Sequence, residues 1–198
     1  MEDPDSFTLL PIHLDPTSKA VTSTSNSRSL SEELATLNAL HRSLLSIESP
    51  VPPPPVPVNP KRSAQITKLR ESGNAEFRKA KHTDAIRFYT LGLQMALTRP
   101  PWEPCGLVRD EVASLYANRA QAHMAMQNWA EGSIDAESSV EAKKVGNSKA
   151  WWRKGRCLME MGRHPEAKEW VSRGLEMEGN EADLVGLLKE IETKVNKA

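Results

Sequence analysis

Three stretches of this chain align with one another, and that internal repetition constrains its fold more than any other feature. They are RESGNAEFRKAKHTDAIRFYTLGLQMAL from Arg70, LYANRAQAHMAMQNWAEGSIDAESSVEA from Leu115 and WWRKGRCLMEMGRHPEAKEWVSRGLEME from Trp151. Small residues recur at matching places: Gly73, Ala120 and Gly155, then Ala85, Gly132 and Ala167, then Gly92, Ser139 and Gly174. Two helices can approach closely only where side chains are small, so each stretch predicts a helix–turn–helix unit. Between those positions lie Leu69, Phe77, Tyr89, Met124, Trp129, Trp151 and Leu158, whose helical spacing predicts core packing.

Gly155 follows Ala120 by 35 residues, whereas Ala120 follows Gly73 by 47. The excess falls in TRPPWEPCGLVRDE, which reads as a Pro-rich insertion between the first two units. After the third unit, NEADLVGLLKEIETKVNKA predicts a further helix, with Leu184, Leu187, Leu188 and Ile191 covering the end of the stack and charges facing outward, as a terminal cap requires. The expected domain runs from 63 to 198, with repeats at about 66–97, 113–145 and 148–179 and a capping helix at 180–196.

Seven of the fourteen prolines lie between Pro50 and Pro60. Such a run lacks backbone donors and favours polyproline II, so residues 50–62 read as a stiff linker. Residues 1–49 form a separate segment. There FTLLPIHLD suggests a short strand, TSKAVTSTSNSRS a Ser/Thr-rich loop, and SLSEELATLNALHRSLLSIES an amphipathic helix. In that helix Leu34, Leu37, Leu40, Leu44 and Ile47 recur at intervals of three and four, and Ser31 is placed to cap its start. One helix and one strand cannot build a core alone, so this segment is expected to bind a partner or to lie against the repeats.

Basic and acidic residues balance at 26 each, but unevenly: residues 1–60 hold three basic and seven acidic side chains. The remainder is therefore modestly positive, which argues against nucleic acid as a partner and for an acidic peptide. Cys105 and Cys157 stand alone, without the spacing of a disulfide framework or a zinc site, so no metal or other cofactor is expected and a reducing compartment fits. No apolar run approaches the ~18 residues needed to cross a bilayer, and the start, MEDPDSF, lacks a basic n-region, so direct membrane insertion is not expected. His13, His41, His82, His123 and His164 are scattered, with His82 and His164 in equivalent turns. Phosphate loops, His-Glu-x-x-His and Gly-x-Ser-x-Gly are absent, so the chain reads as no enzyme, with no catalytic residues.

On these repeats the chain resembles the tetratricopeptide family across about two-thirds of its length. The resemblance implies an all-α fold: three helix–turn–helix repeats and a C-terminal capping helix wound into a right-handed superhelix, here preceded by a small strand and helix. In such a superhelix the first helices of successive pairs line the concave side, so residues sharing a face of those helices meet in one groove.

On the first such helix Arg70 and Asn74 are four apart, on the third Lys149 and Arg153 are four apart, and the second contributes Asn118 from LYANRA. This set resembles the carboxylate-clamp subclass, which holds the last residue of a Glu-Glu-Val-Asp tail, with Arg70 where lysine is commoner. A C-terminal Asp presents two carboxylates, and converging cations and amides satisfy both together. Each charge-assisted hydrogen bond is worth about 1.5–3 kcal/mol, so a handful gives micromolar binding after ordering costs. Singly, each of these residues would read as a solvated charge on a helix face. Trp152 and Arg156 are candidate additional contacts, to an apolar tail residue and to an upstream glutamate, with helix stacking and a surface salt bridge as their plain alternatives. Phe77 could floor the pocket or belong to the core.

The layout of short N-terminal segment, Pro-rich linker, three repeats and cap resembles the tetratricopeptide subunit of the fungal post-translational translocation complex of the endoplasmic reticulum. That implies a chaperone-docking adaptor at the cytosolic face of the membrane, held there by a membrane-anchored subunit of the complex. Its groove would receive the tail of the cytosolic seventy-kilodalton heat-shock chaperone carrying unfolded precursors. Two other readings stay open: a free cytosolic co-chaperone with the same clamp, and a structural scaffold whose groove is unused.

Overall fold

In the computed structural model, which describes residues 11–25, 27–45, 60–99, 103 and 105–195, the chain divides into two compact units, Met1–Val56 and Pro57–Ala198. The elements run β1 (Ile12–Leu14), β2 (Val21–Ser23), α1 (Arg28–Leu45), α2 (Pro60–Arg78), α3 (His82–Leu97), α4 (Cys105–Ala125), α5 (Trp129–Ala142), α6 (Ser148–Glu160), α7 (His164–Glu178) and α8 (Ala182–Val195).

In the first unit β1 and β2 form an antiparallel hairpin with Ile12 opposite Ser23 and Leu14 opposite Val21. The second strand lies inside the stretch read from sequence as loop, a correction with a clear cause. Thr and Val suit a strand, and the Asn38 side chain on α1 supplies Val21 with a substitute ladder partner, accepting its N–H and donating to its C=O, each at 2.8 Å. The predicted cap is also displaced. The helix begins at Arg28, so Ser27 precedes it and its Oγ accepts the Leu30 N–H at 3.4 Å, while Ser31 lies in the first turn and donates to the Ser27 carbonyl. The polyproline reading of residues 50–59 and the placement of Ile47 lie outside the described residues.

The second unit is the all-α tetratricopeptide stack. Helix α2 starts at Pro60, inside the span read as linker, because a proline in the first turn forfeits no helical hydrogen bond. Likewise CGLVRDE, read as part of the insertion, adds about two turns to the start of α4, and the capping helix α8 ends at Val195.

The small positions act as their spacing predicts. A Cβ added at Gly73 would meet Tyr89 Cε1 at 2.5 Å, one at Gly92 would meet Leu115 at 2.9 Å, and one at Gly155 would meet Val171 Cγ2 at 2.4 Å. Ala85, Ala120, Ala167 and Ser139 are fully buried. The Ser139 hydroxyl avoids an unpaired burial by donating to the Ala113 carbonyl at 2.8 Å. At the C-terminal end Trp151 and Trp170 pack 4.5 Å apart with Val171, Leu184, Leu187 and Ile191, the core that α8 closes.

The turns inside the three repeats share one geometry. Ala80, Gln127 and Gly162 each adopt positive φ, at 60°, 60° and 75°. The next residues, Lys81, Asn128 and Arg163, donate their N–H to the carbonyls of Glu76, His123 and Leu158 five positions back. That is a Schellman closure, and it satisfies carbonyls the helix end would otherwise orphan.

Each helix from α2 to α8 packs on its sequence neighbour. In addition α2 touches α4, α4 touches α6 and α6 touches α8, whereas α3, α5 and α7 do not touch one another. The first helices of the pairs therefore form the tighter, inner layer of the stack.

Candidate ligand-binding trough

The inner layer bounds a trough of about 970 Å³ whose walls come from Phe77 of α2, from the C-terminal end of α4, from α6 and from α8, with Trp129 at the start of α5. Of the residues singled out in the sequence, Lys149, Arg153, Phe77, Trp152 and Arg156 line it, whereas Arg70, Asn74 and Asn118 are not among its lining residues. Met124 and Trp129 line it too and are only half-buried, a correction to their reading as core, while half-buried Phe77 both lines the trough and packs against the core of the first repeat. Met124 lies in the last turn of α4 and Trp129 is the first residue of α5, so both sit beside the turn between these helices, where they border the trough. Tyr89, Trp151 and Leu158 are buried as expected.

Asn74 and Asn118 are brought together. Asn118 Nδ2 donates to Asn74 Oδ1 at 3.1 Å, and the Tyr89 hydroxyl donates to the same oxygen at 2.8 Å. With its oxygen doubly engaged, Asn74 is fixed in orientation, and its own N–H donors face away from these partners. Arg70 is half-buried on α2 one turn before Asn74; among the described residues no hydrogen bond or ion pair ties it to the others.

Arg153 is 9% exposed, and its Nη2 donates to Gln121 Oε1 at 2.8 Å. Burial pushes its pKa down, opposed by the Tyr89 phenol, yet a guanidinium stays charged at neutral pH. Burial also pushes Tyr89 up, opposed by Arg153 and Arg78, so this tyrosine is a neutral hydroxyl donor. Lys149 is exposed near the N-terminus of α6. Arg156, by contrast, is already engaged: it pairs with Glu160 at 2.8 Å and with Glu190 of α8 at 2.9 Å. That is the salt-bridge alternative to a free upstream contact.

Two residues of this network were not singled out for it in the sequence. Gln121 lies three residues after Asn118, a spacing that puts both on one helix face, and this was the available signal. Tyr89 carried only the signature of a core filler, since nothing local to α3 reveals that its hydroxyl reaches Asn74. Cys157 is buried behind the trough with its thiol pushed up to about 12 by burial, which makes it inert packing. Among the described residues no cluster of three or more His, Cys, Asp or Glu could hold a metal, and no helix is long and apolar enough to cross a membrane.

No family model matches the chain. It is 34% identical over 143 residues to the ER protein translocation subcomplex subunit sec67 of Schizosaccharomyces pombe, an alignment covering 70% of this chain and 74% of that protein. A chain in the cryo-EM structure of the Sec complex from S. cerevisiae shares the fold at a TM-score of 0.70 and 21% identity, over 94% of this chain and 98% of that one. The second tetratricopeptide domain of the human RPAP3 protein, solved with the HSP70 peptide SGPTIEEVD, matches at a TM-score of 0.55 and 26% identity, over 66% of this chain and 98% of that domain. With repeats, cap and N-terminal hairpin in place and identity extending along three-quarters of the fission-yeast subunit, the chain belongs to the tetratricopeptide family of the ER protein translocation subunit sec67.

Proposed function

We propose that the concave trough grips the free C-terminal Glu-Glu-Val-Asp tail of cytosolic heat-shock chaperones, with Arg70, Asn74, Asn118, Lys149 and Arg153 as its clamp. Through it the chain serves as a non-catalytic docking subunit that receives chaperone-bound precursors for the endoplasmic-reticulum translocation complex. A membrane-anchored subunit of that complex holds it on the cytosolic face. The seventy-kilodalton chaperone is the partner, in keeping with the HSP70 peptide held by the related RPAP3 domain.

The observation that carries this reading is Arg153. A guanidinium this buried normally has a counter-ion, because desolvating a charge without one is unfavourable. Its hydrogen-bond partner here is the neutral Gln121, and among the described residues Arg70, Lys149 and Arg153 form no ion pair with any carboxylate. Cations without a carboxylate partner among the described residues, together with a fixed pair of amides, are complementary to a ligand that brings two carboxylates of its own.

The test is calorimetric titration with SGPTIEEVD as the free acid and as the C-terminal amide, against wild type and Asn74→Ala. Micromolar binding of the acid, lost in the amide and weakened in the variant, is the expected outcome. Indistinguishable isotherms would point instead to a scaffold with an unused groove. Recovery of the protein with membranes before but not after detergent tests the docking role, and a wholly unsedimented protein would favour a free co-chaperone.

A further inference from the structure

The trough carries side chains of both signs. Helix α8 and the last turn of α6 contribute exposed Asp183, Glu190 and Glu160 to its lining. Arg156 is held between two of these carboxylates, Glu160 at 2.8 Å and Glu190 at 2.9 Å. Three carboxylates against one paired guanidinium make this part of the lining negative, while Lys149 and Arg153 of α6 contribute positive charge to the same trough. Met124, Trp129, Trp152 and Leu187 add an apolar and aromatic part to the lining.

Building on the proposed clamp, we infer that the trough selects a bipolar chain end: an acidic C-terminus preceded by basic or apolar residues, with acidic residues rejected there. Upstream side chains extending from the clamp enter the part of the trough bounded by Asp183 and Glu190. A lysine or arginine in that place lays its aliphatic stem along Trp129 and Trp152 and offers its charge to the α8 carboxylates. A glutamate there meets like charge, and Arg156 can receive it only by giving up Glu160 and Glu190. This discrimination works by repulsion of the wrong ligand as well as attraction of the right one.

The experiment uses the full chain and three free-acid peptides, SGPTIEEVD, SGRRIEEVD and SGEEIEEVD, titrated against wild type and Asp183→Asn/Glu190→Gln. Both substitutions are near-isosteric and at exposed positions, and a thermal melt confirms that the variant is folded. Wild type is expected to bind the Arg-Arg peptide roughly five- to tenfold more tightly than the Glu-Glu peptide, as two exposed charge contacts allow. The double variant should compress that ratio to within about twofold, because α8 loses the two negative charges that favour the Arg-Arg peptide and repel the Glu-Glu peptide. Equal binding of the two peptides by wild type, or a ratio unchanged in the variant, overturns the inference. The amide of SGPTIEEVD separates the two levels of the argument. Acid-dependent binding with a flat ratio sinks this inference alone, whereas acid and amide binding alike sinks the clamp on which it stands.

Discussion

Asn74 Oδ1 accepts the Tyr89 hydroxyl at 2.8 Å, so a residue of α3 facing the core fixes the orientation of an amide on the concave side of α2. The same oxygen takes the Asn118 amide from α4, and the two inner helices are thereby pinned to each other at the level of the proposed clamp.

Tyr89→Phe keeps the ring against Gly73 and deletes only the hydroxyl. It should lower stability by about 1 kcal/mol, the usual worth of one buried hydrogen bond, and weaken peptide affinity severalfold because the Asn74 amide is free to rotate. Urea melts and calorimetry on the same preparation measure both. An unchanged affinity would mean that Asn74 does not need to be held.

Arg153→Met should separate stability from binding. Removing a buried charge that lacks a counter-ion leaves the unliganded melting temperature unchanged or raises it, while tail affinity falls by about 1.5–3 kcal/mol. Trp152→Ala should reduce affinity less than Arg153→Glu. The reverse order would make apolar anchoring, not charge, the main contribution.

Glycine substitutions should diverge according to what lies beyond them. Gly155→Ala places a Cβ 2.4 Å from Val171 Cγ2 and 3.1 Å from Leu187 Cδ2, and should destabilise by about 1–3 kcal/mol. Gly186→Ala meets nothing within 4 Å in the middle of α8 and should stabilise by about 0.5–1 kcal/mol. Comparing the two midpoints in denaturant checks both signs.

Ala80→Gly and Gln127→Gly relieve the left-handed backbone of the first two intra-repeat turns, and each should raise stability by up to about 1 kcal/mol. Gly162→Ala, at the matching place in the third repeat, should lower it. A uniform loss in all three would indicate that chain entropy outweighs the relieved strain.

His123 titrates below the ordinary histidine range because burial disfavours its charged form, with Asp135 opposing. The unfolded chain therefore takes up a proton at higher pH than the folded one. The stability linked to this group is complete above pH ~6.5 and declines as pH falls through that value. Melts from pH 8 to 5 should show the decline, and His123→Gln should flatten it.

Much of the second unit was legible in the sequence because its determinants are local. The recurrence of Gly73, Ala120 and Gly155, and of Ala85, Gly132 and Ala167, marks where helices must meet, and no other residue types would allow the approach. The helix starts at Pro60 and Cys105 were misplaced, since proline is compatible with a spacer and with a first helical turn, and only packing against the neighbouring helix selects between them. Strand β2 was missed for a related reason: its ladder is completed by Asn38, a side chain seventeen residues away.

The candidate site divides along the same line. By itself the sequence determined which helices form, which faces are apolar and which cations and amides share a face, because a helix repeats every 3.6 residues and these relations lie within one element. Tertiary structure alone decided that Tyr89 orients Asn74, that Arg153 is buried beside Gln121 and that Arg156 is bound by Glu190 of α8. Those relations join separate helices, and their distances depend on how the pairs stack and curve, a property of side-chain packing across the whole array that no single stretch of chain encodes.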